Sequence, residues 1–443
     1  MKKMLSIAAV AALATSSFAA SDLAGAFKEG KASGQIRAMY VYNDFKNDDH
    51  GGPDTKGIAL GGKLGFETAP VYGISAGAVF YTSQDMGLKN SAVSGRQDPY
   101  TYDENGNSYS LLGQAYLQGQ FGKTTVKVGR QQLDTPLAGS DDIRMIPNLF
   151  EAALVINSDV PSTTLIGGYV ARMAGLDSVS DKSSRTQFQS MSRAALGGLV
   201  DSGDIKDKGV AVAAVVNSSV KDLTLQLWDY YAYDVLNAVY AQADYKLGLA
   251  KDMALGLSAQ YEHLADMGKT KDALRGLNAK VGYDVYGVKA SLETPIGLTP
   301  YLAYNKVSEQ KNGTGLFVFG AWGGYAEFAM GEETWYNTLG TNVAGTAAQT
   351  AMNGAQVYKA GADYSLEKVG LGARTIGLAY TKFDLKSQYN GNVDADTNVW
   401  DLKYTCSGAL VKNLDATVLF ESADSKNNAL DRKTTKVVFN YNF

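Results

Sequence analysis

The chain has 443 residues, a formal charge of −4 and one cysteine, with 48 glycines and 27 tyrosines but only 8 prolines. One cysteine excludes an internal disulfide, and the even scatter of Lys and Arg excludes a basic face for nucleic acid. Beyond the N-terminal segment no apolar run approaches the roughly 20 residues of a transmembrane helix, and the wealth of Gly and Tyr points instead to a closed all-β sheet.

The first element in chain order is an export signal. Lys2 and Lys3 form a positive start, Met4 to Ala14 an apolar stretch, and Ser17-Phe18-Ala19 a small-residue cleavage site, so residues 1–19 are expected to be removed after Ala19. The rest, 20–443, is expected to form one domain.

Period two then dominates. Gly34 to Phe45 sets Ile36, Ala38, Tyr40 and Tyr42 against Gln35, Arg37 and Asn43. Ile58 to Glu67 sets Ile58, Leu60, Leu64 and Phe66 against Lys63 and Glu67. A strand sorts such residues onto two faces, whereas a helix would scatter them. The run Gly129-Arg130-Gln131-Gln132-Leu133-Asp134-Thr135-Pro136, continued by Ser140-Asp141-Asp142-Ile143-Arg144-Met145-Ile146-Pro147-Asn148-Leu149-Phe150-Glu151, links two strands. It is unusually charged and is braced by Pro136 and Pro147. Opposed Asp and Arg this close suit a narrowing inside a hollow barrel, or local ion pairs on a solvated loop.

Alternation resumes in Met253 to His263, with Leu255, Leu257, Ala259 and Tyr261 against Ser258, Gln260 and Glu262. Residues 286–306, broken around Pro295 and Pro300, read as one irregular strand. Gln356 to Leu366 sets Tyr358, Ala360, Ala362 and Tyr364 against Lys359, Asp363 and Ser365, and Asn398 to Thr405 sets Trp400, Leu402 and Tyr404 against Asp401 and Lys403. The chain closes on Val437, Phe439, Tyr441 and Phe443 along one face. Of these, Phe439, Tyr441 and Phe443 look like the terminal signal read by outer-membrane assembly machinery.

Segments of about 10 residues match tilted membrane strands better than globular ones, and aromatic ends match interfacial girdles. Links also alternate between short (122–123, 158–162, 218–221, 248–252, 368–371, 408–412) and long (46–56, 82–109, 132–148, 174–207, 307–354, 385–396). This is the pattern of short inner turns and long outer loops. The tally is about 18 antiparallel strands with both termini on the short-turn side, placing the protein in the bacterial outer membrane among lipid and lipopolysaccharide.

The run GRQQLDTPLAGSDDIRMIPNLFE closely resembles the corresponding stretch of the OprD family of outer-membrane porins, also called Occ channels. The resemblance implies an 18-stranded barrel, an inward-folded third loop, and a row of basic lumen residues facing an acidic patch. Such a row would guide amino acids or small organic acids. By motif position Arg130 and Arg144 join the row, with Asp134, Asp141, Asp142 and Glu151 in the same run. By parity Arg37, Lys359 and Lys403 extend it. The basic pair often expected on strand 397–407 is represented here by Asp401 and Lys403, which weakens the expectation of strict anion selectivity. Phe319 to Tyr325 also looks family-like and is expected to form a folded outer element. The resemblance permits a monomer or a loose homotrimer.

Other chemistry finds little footing. His50 and His263 form no metal-ligand spacing, Cys406 shares the apolar face of Trp400 and Leu402, and no nucleophile elbow or phosphate loop stands at a strand–helix junction. No cofactor and no catalysis are expected. Asp48-Asp49-His50 and Asp201 to Asp207 are acidic enough to gather Ca²⁺, but acidic outer loops are ordinarily just solvated. An outer-membrane enzyme would need a Ser/His or Asp/His set that two separated histidines do not supply. A barrel-anchored adhesin and a wide general porin are the remaining alternatives.

Overall fold

A computed structural model describes residues 20–46, 54–87, 98–178, 184–196, 208–276, 280–310, 320, 322–334, 352–385, 396–426 and 431–443. Residues 1–19, expected from sequence to be an export signal, Asp48 to His50, residues 201–207, Phe319 and Ala321 lie outside the described residues. No helix among the described residues is long and apolar enough to cross a membrane.

Eighteen strands form one antiparallel sheet. They are β1 (Lys31–Phe45), β2 (Thr55–Glu67), β3 (Ile74–Gln84), β4 (Tyr109–Phe121), β5 (Thr124–Gln131) and β6 (Leu149–Asn157). Next come β7 (Thr163–Ala174), β8 (Val210–Asn217), β9 (Leu223–Ala232), β10 (Leu236–Ala250), β11 (Met253–Asp266) and β12 (Gly282–Glu293). The last six are β13 (Leu298–Val307), β14 (Gln356–Ser365), β15 (Arg374–Asp384), β16 (Thr397–Ser407), β17 (Leu414–Ser425) and β18 (Arg432–Asn442). Each pairs with the next in sequence, and β18 returns to β1, from Gln35 opposite Asn442 to Phe45 opposite Arg432. The ring is therefore closed and leaves no open edge, the liability that an unpaired strand would carry. A two-residue segment, Gln189–Ser190, pairs beside β7 at Met173 and Arg172.

The seam is tight. Gly34 and Phe443 exchange backbone hydrogen bonds of 2.8 and 3.0 Å, and a Cβ on Gly34 would stand 2.3 Å from the Phe443 ring. Phe439, Tyr441 and Phe443 are all exposed on the outward face beside it.

The expected count holds, but the route to it does not. Residues 286–306 are not one strand: β12 and β13 pair side by side, from Val285 opposite Val307 to Ser291 opposite Tyr301. Pro295 sits in the turn between them, where Gly297 adopts φ +83° and its amide bonds the Thr294 carbonyl at 3.0 Å. The alternation rule failed at the other end of the barrel. The outer link 233–235 is as short as an inner turn, closed by Asp234 at φ +61° and a 3.0 Å bond from the Val235 amide to the Ala232 carbonyl.

The two faces of the ring differ. Leu60, Leu64, Phe80, Leu117, Leu227, Val288, Leu302, Leu378, Trp400 and Leu402 are exposed on the outside, as a lipid-facing band requires. The inside is mixed rather than uniformly polar. From β6 to β10 the inward side chains include Phe150, Leu154, Ile156, Ile166, Val170, Val212, Trp228, Tyr230 and Tyr240, which belong to one buried apolar cluster. From β12 through β18 to β1 apolar side chains of the same cluster (Tyr283, Val285, Val307, Val357, Phe383, Val399) and of a second (Met39, Val41, Val438) are interspersed with charged ones.

Candidate functional site

The charged wall follows from strand register. Inward positions recur every second residue, so neighbouring strands bring them into rows. One row runs Arg432, Ala423, Val399, Thr381, Lys359, Ala303, Lys289. Two residues along each strand a second runs Thr434, Glu421, Asp401, Ala379, Gly361, Tyr301. Two further along, a third runs Lys436, Leu419, Lys403, Gly377, Asp363, Thr299. Two rows rich in cations thus flank one that carries Glu421 and Asp401.

Two outer loops lie against the inward face. The first is 132–148. Its Leu137 amide reaches Tyr230 Oη on β9 at 3.4 Å, while its other end meets β1: Arg37 Nη1 donates to Asp142 Oδ1 at 2.7 Å and to the Arg144 carbonyl. Arg37 Nε is held by Asn440 Oδ1 at 2.7 Å. Arg144, fully buried, organises the interior of this loop. It donates to Asp141 Oδ2 at 2.5 Å, to both Asp177 oxygens at 2.9 and 3.1 Å, and to Asn148 Oδ1 at 3.2 Å. Its guanidinium lies 5.7 Å from the Tyr100 ring centre. Asp134 accepts from Ser140 Oγ at 2.5 Å and so closes a local turn. Burial pushes the Asp141 carboxyl up to about 6 against the opposing pull of Arg144. Burial likewise raises Asp98, on the neighbouring loop, to about 6.

The second loop segment is Trp322 to Thr334. It starts on the first loop: the Gly139 amide donates to the Trp322 carbonyl at 3.0 Å, and Trp322 Nε1 donates to the Met191 carbonyl at 3.0 Å. A Cβ on Gly324 would stand 2.2 Å from the Leu137 carbonyl carbon, so glycine is needed for the two backbones to touch. The segment then follows the wall. The Ala329 amide bonds Asn305 Oδ1 on β13 at 2.7 Å, and Lys359 Nζ on β14 donates to the Met330 carbonyl at 2.7 Å. Glu332 Oε2 accepts from Lys403 Nζ on β16 at 2.5 Å, and its amide bonds Asp401 Oδ1 at 3.3 Å. The Glu333 amide and Thr334 Oγ1 bond Glu421 on β17 at 2.7 and 2.6 Å. On β18, Arg432 Nη2 donates to the Glu333 carbonyl and to Glu421 Oε1, each at 2.9 Å, and Lys436 pairs with Glu333. The segment thus follows the wall from β13 to β18 as a strap, with its Trp322 ring 6.5 Å from that of Tyr230 on β9, and with loop 132–148 it makes a collar.

Most residues picked from the sequence meet here: Arg37, Asp134, Asp141, Asp142, Arg144, Lys359, Asp401 and Lys403. Arg130 and Glu151 do not. Register pairs Arg130 with Glu151, two residues from Val128 with Ala153 and four from Val126 with Val155, so they share the outward face of exposed Val128 and Val155. They pair with each other at 3.0 Å, with Arg172 beyond at 3.8 Å. The charged run straddles two strand ends, and at those ends strand parity, not loop position, decides the face. Sequence reasoning missed Asp177, Glu332, Glu333, Glu421, Arg432 and Lys436. The last three sit at inward parity and were legible in principle. The loop residues carry no periodic signal.

A closed barrel of 18 strands, with an apolar outer band and rows of charged residues on part of its inner wall, is an outer-membrane porin. The family model for outer membrane porins of the OprD family matches residues 24–443, and the chain belongs to that family, in the bacterial outer membrane. Among solved structures it is similar to Pseudomonas aeruginosa OccK9 (OpdG), at 15% identity and TM-score 0.74, over 94% of this chain and 99% of that one. It is similar also to a BenF-like porin from Pseudomonas fluorescens Pf-5, at 14% identity and TM-score 0.72 with the same coverage. A third is P. aeruginosa OpdK with vanillate, at 17% identity and TM-score 0.68, again over 94% and 99%. No curated protein matches the chain.

Proposed function

We propose that this porin admits small carboxylate-bearing solutes along its charged wall, past a narrowing made by the loop 132–148 and the strap 322–334. The observation that carries this reading is the register of the wall, which sets Lys289, Lys359 and Arg432 into one row and Lys403 and Lys436 into another, on either side of the row of Glu421 and Asp401, at the level of the strap. A carboxylate entering such a path sheds water, and ammonium and guanidinium groups replace it with charge-assisted hydrogen bonds. Several weak sites in series pass a solute on without trapping it. The vanillate of the OpdK structure is itself a carboxylate and agrees with this chemistry.

Swelling of proteoliposomes in isosmotic solutes tests the reading. Small monocarboxylates are expected to enter faster than their neutral amides of equal size. Equal rates would remove the carboxylate preference and leave a general porin.

A further inference from the structure

The strap brings its own carboxylates to the cationic rows, and the two contacts differ in kind. Lys436 and Glu333 are shut away, with side chains 6% and 2% exposed. Glu333 is pinned further by its amide on Glu421 and its carbonyl on Arg432. Lys403 and Glu332 are 37% and 33% exposed, so water and solute reach that pair from the lumen. Lys359 spends its ammonium on a backbone carbonyl, that of Met330, and Arg37 is closed off by Asp142 and Asn440. Among the described residues of the collar, Lys403 is therefore the cation of the row that is both charge-paired and open to exchange.

We propose that Glu332 is a specificity-determining residue: a tethered carboxylate that occupies Lys403 and that a passing carboxylate solute must displace. This deepens the carboxylate-channel reading and rests on it. Three features on the strap support exchange at this one position. The Glu332 backbone is fixed independently of its side chain, by its amide on Asp401 and by the neighbouring Glu333 and Thr334 contacts to Glu421. Its carboxylate can thus rotate away without unseating the strap. A half-exposed pair contributes little to stability, about 0–1 kcal/mol, so the energy of exchange is small. And the incoming carboxylate restores the bond that Lys403 gives up, so the lysine keeps a charge partner throughout.

Two consequences follow. While Glu332 is in place, Lys403 is neutralised as seen from the lumen, and the collar selects weakly between small anions and cations. With Glu332 neutralised, the same lysine stands open and the collar favours anions. A carboxylate solute also competes with an internal group of its own kind, which keeps its residence short, as permeation requires.

The test uses the purified full-length porin in planar bilayers, with Glu332→Gln as the variant and Glu332→Asp as a second. Glu332→Gln keeps shape and removes charge. Under a KCl gradient its reversal potential is expected to move toward anions, the chloride-to-potassium permeability ratio rising by about fivefold, the factor that attraction between unit charges about 4 Å apart in water supplies. Glu332→Asp keeps the charge and should leave the ratio near wild type. Added benzoate should interrupt the current for longer in Glu332→Gln than in wild type. An unchanged reversal potential and unchanged benzoate dwell times in Glu332→Gln overturn the role of Glu332. If the reversal potential shifts but benzoate interrupts neither channel, the charge role of Glu332 stands and the carboxylate-channel reading falls instead.

Discussion

The two halves of the collar share one buried apolar cluster but differ in where their charges go. Loop 132–148 rests on the apolar inner face of β6 to β10, with Leu133 and Leu137 in the same buried cluster as Phe150, Trp228 and Tyr230. Its charges are turned inward on one another around Arg144. The strap 322–334 enters the same cluster through Trp322, Ala329 and Met330, but its far end is held by ion pairs and backbone contacts to Lys359, Lys403, Glu421 and Arg432. The first half is a core that happens to sit inside a barrel: apolar burial fixes it, and its buried charges leave nothing for a solute. The far end of the second half is held by the kind of contact a carboxylate solute can also make. Selectivity is therefore expected to reside in the strap and stability in the loop.

Breaking the loop should have the largest effect. Arg144→Met leaves Asp141 and Asp177 buried without their cation, a loss of about 3–5 kcal/mol for a buried pair stripped of one partner. Thermal unfolding should shift clearly downward, and single-channel current should become larger and noisier as the loop leaves the wall. If Arg144→Met behaves as wild type in both, the loop is not held as described and the contrast between the halves disappears. Glu332→Gln, by comparison, should change ion preference with no measurable loss of thermal stability.

The smallest effect is that of pH. Burial lifts the carboxyls of Asp141 and Asp98 to about 6, above their ordinary value. Between about pH 4 and about pH 6 the folded carboxyls hold protons that an unfolded chain releases, so falling pH adds stability in that window. It also removes negative charge from the loop side. Lowering the pH from about 7.5 to about 5 should move the reversal potential modestly toward anions, and Asp141→Asn should blunt that movement. A shift toward cations contradicts the assignment.

Much of this was legible from residue order alone. Period two gave the strands because a sheet has two faces, and a lipid-facing band leaves a strong trace in Leu60, Leu64, Trp400 and Leu402. The inward parity of Arg37, Lys359, Asp401 and Lys403 followed from the same rule. The rule failed where local geometry overrides it. A three-residue outer link at 233–235 disguised one strand boundary, and Arg130 and Glu151, though part of a loop-like motif, obey the strands that carry them. The apolar inner wall from β6 to β10 was hidden because both faces there are greasy, one toward lipid and one toward loops. The strap was hidden for a different reason. Nothing periodic marks Glu332 or Glu333, whose partners lie on β16 and β18, and only the closed barrel brings them together.

Single-channel recording with benzoate and benzamide added to wild type and to Lys403→Met tests the central claim most directly. The account predicts concentration-dependent current interruptions by benzoate in wild type, weaker ones in Lys403→Met, and none by benzamide in either. Equal interruption by the acid and the amide, or interruption by benzoate that is indifferent to Lys403, would contradict it.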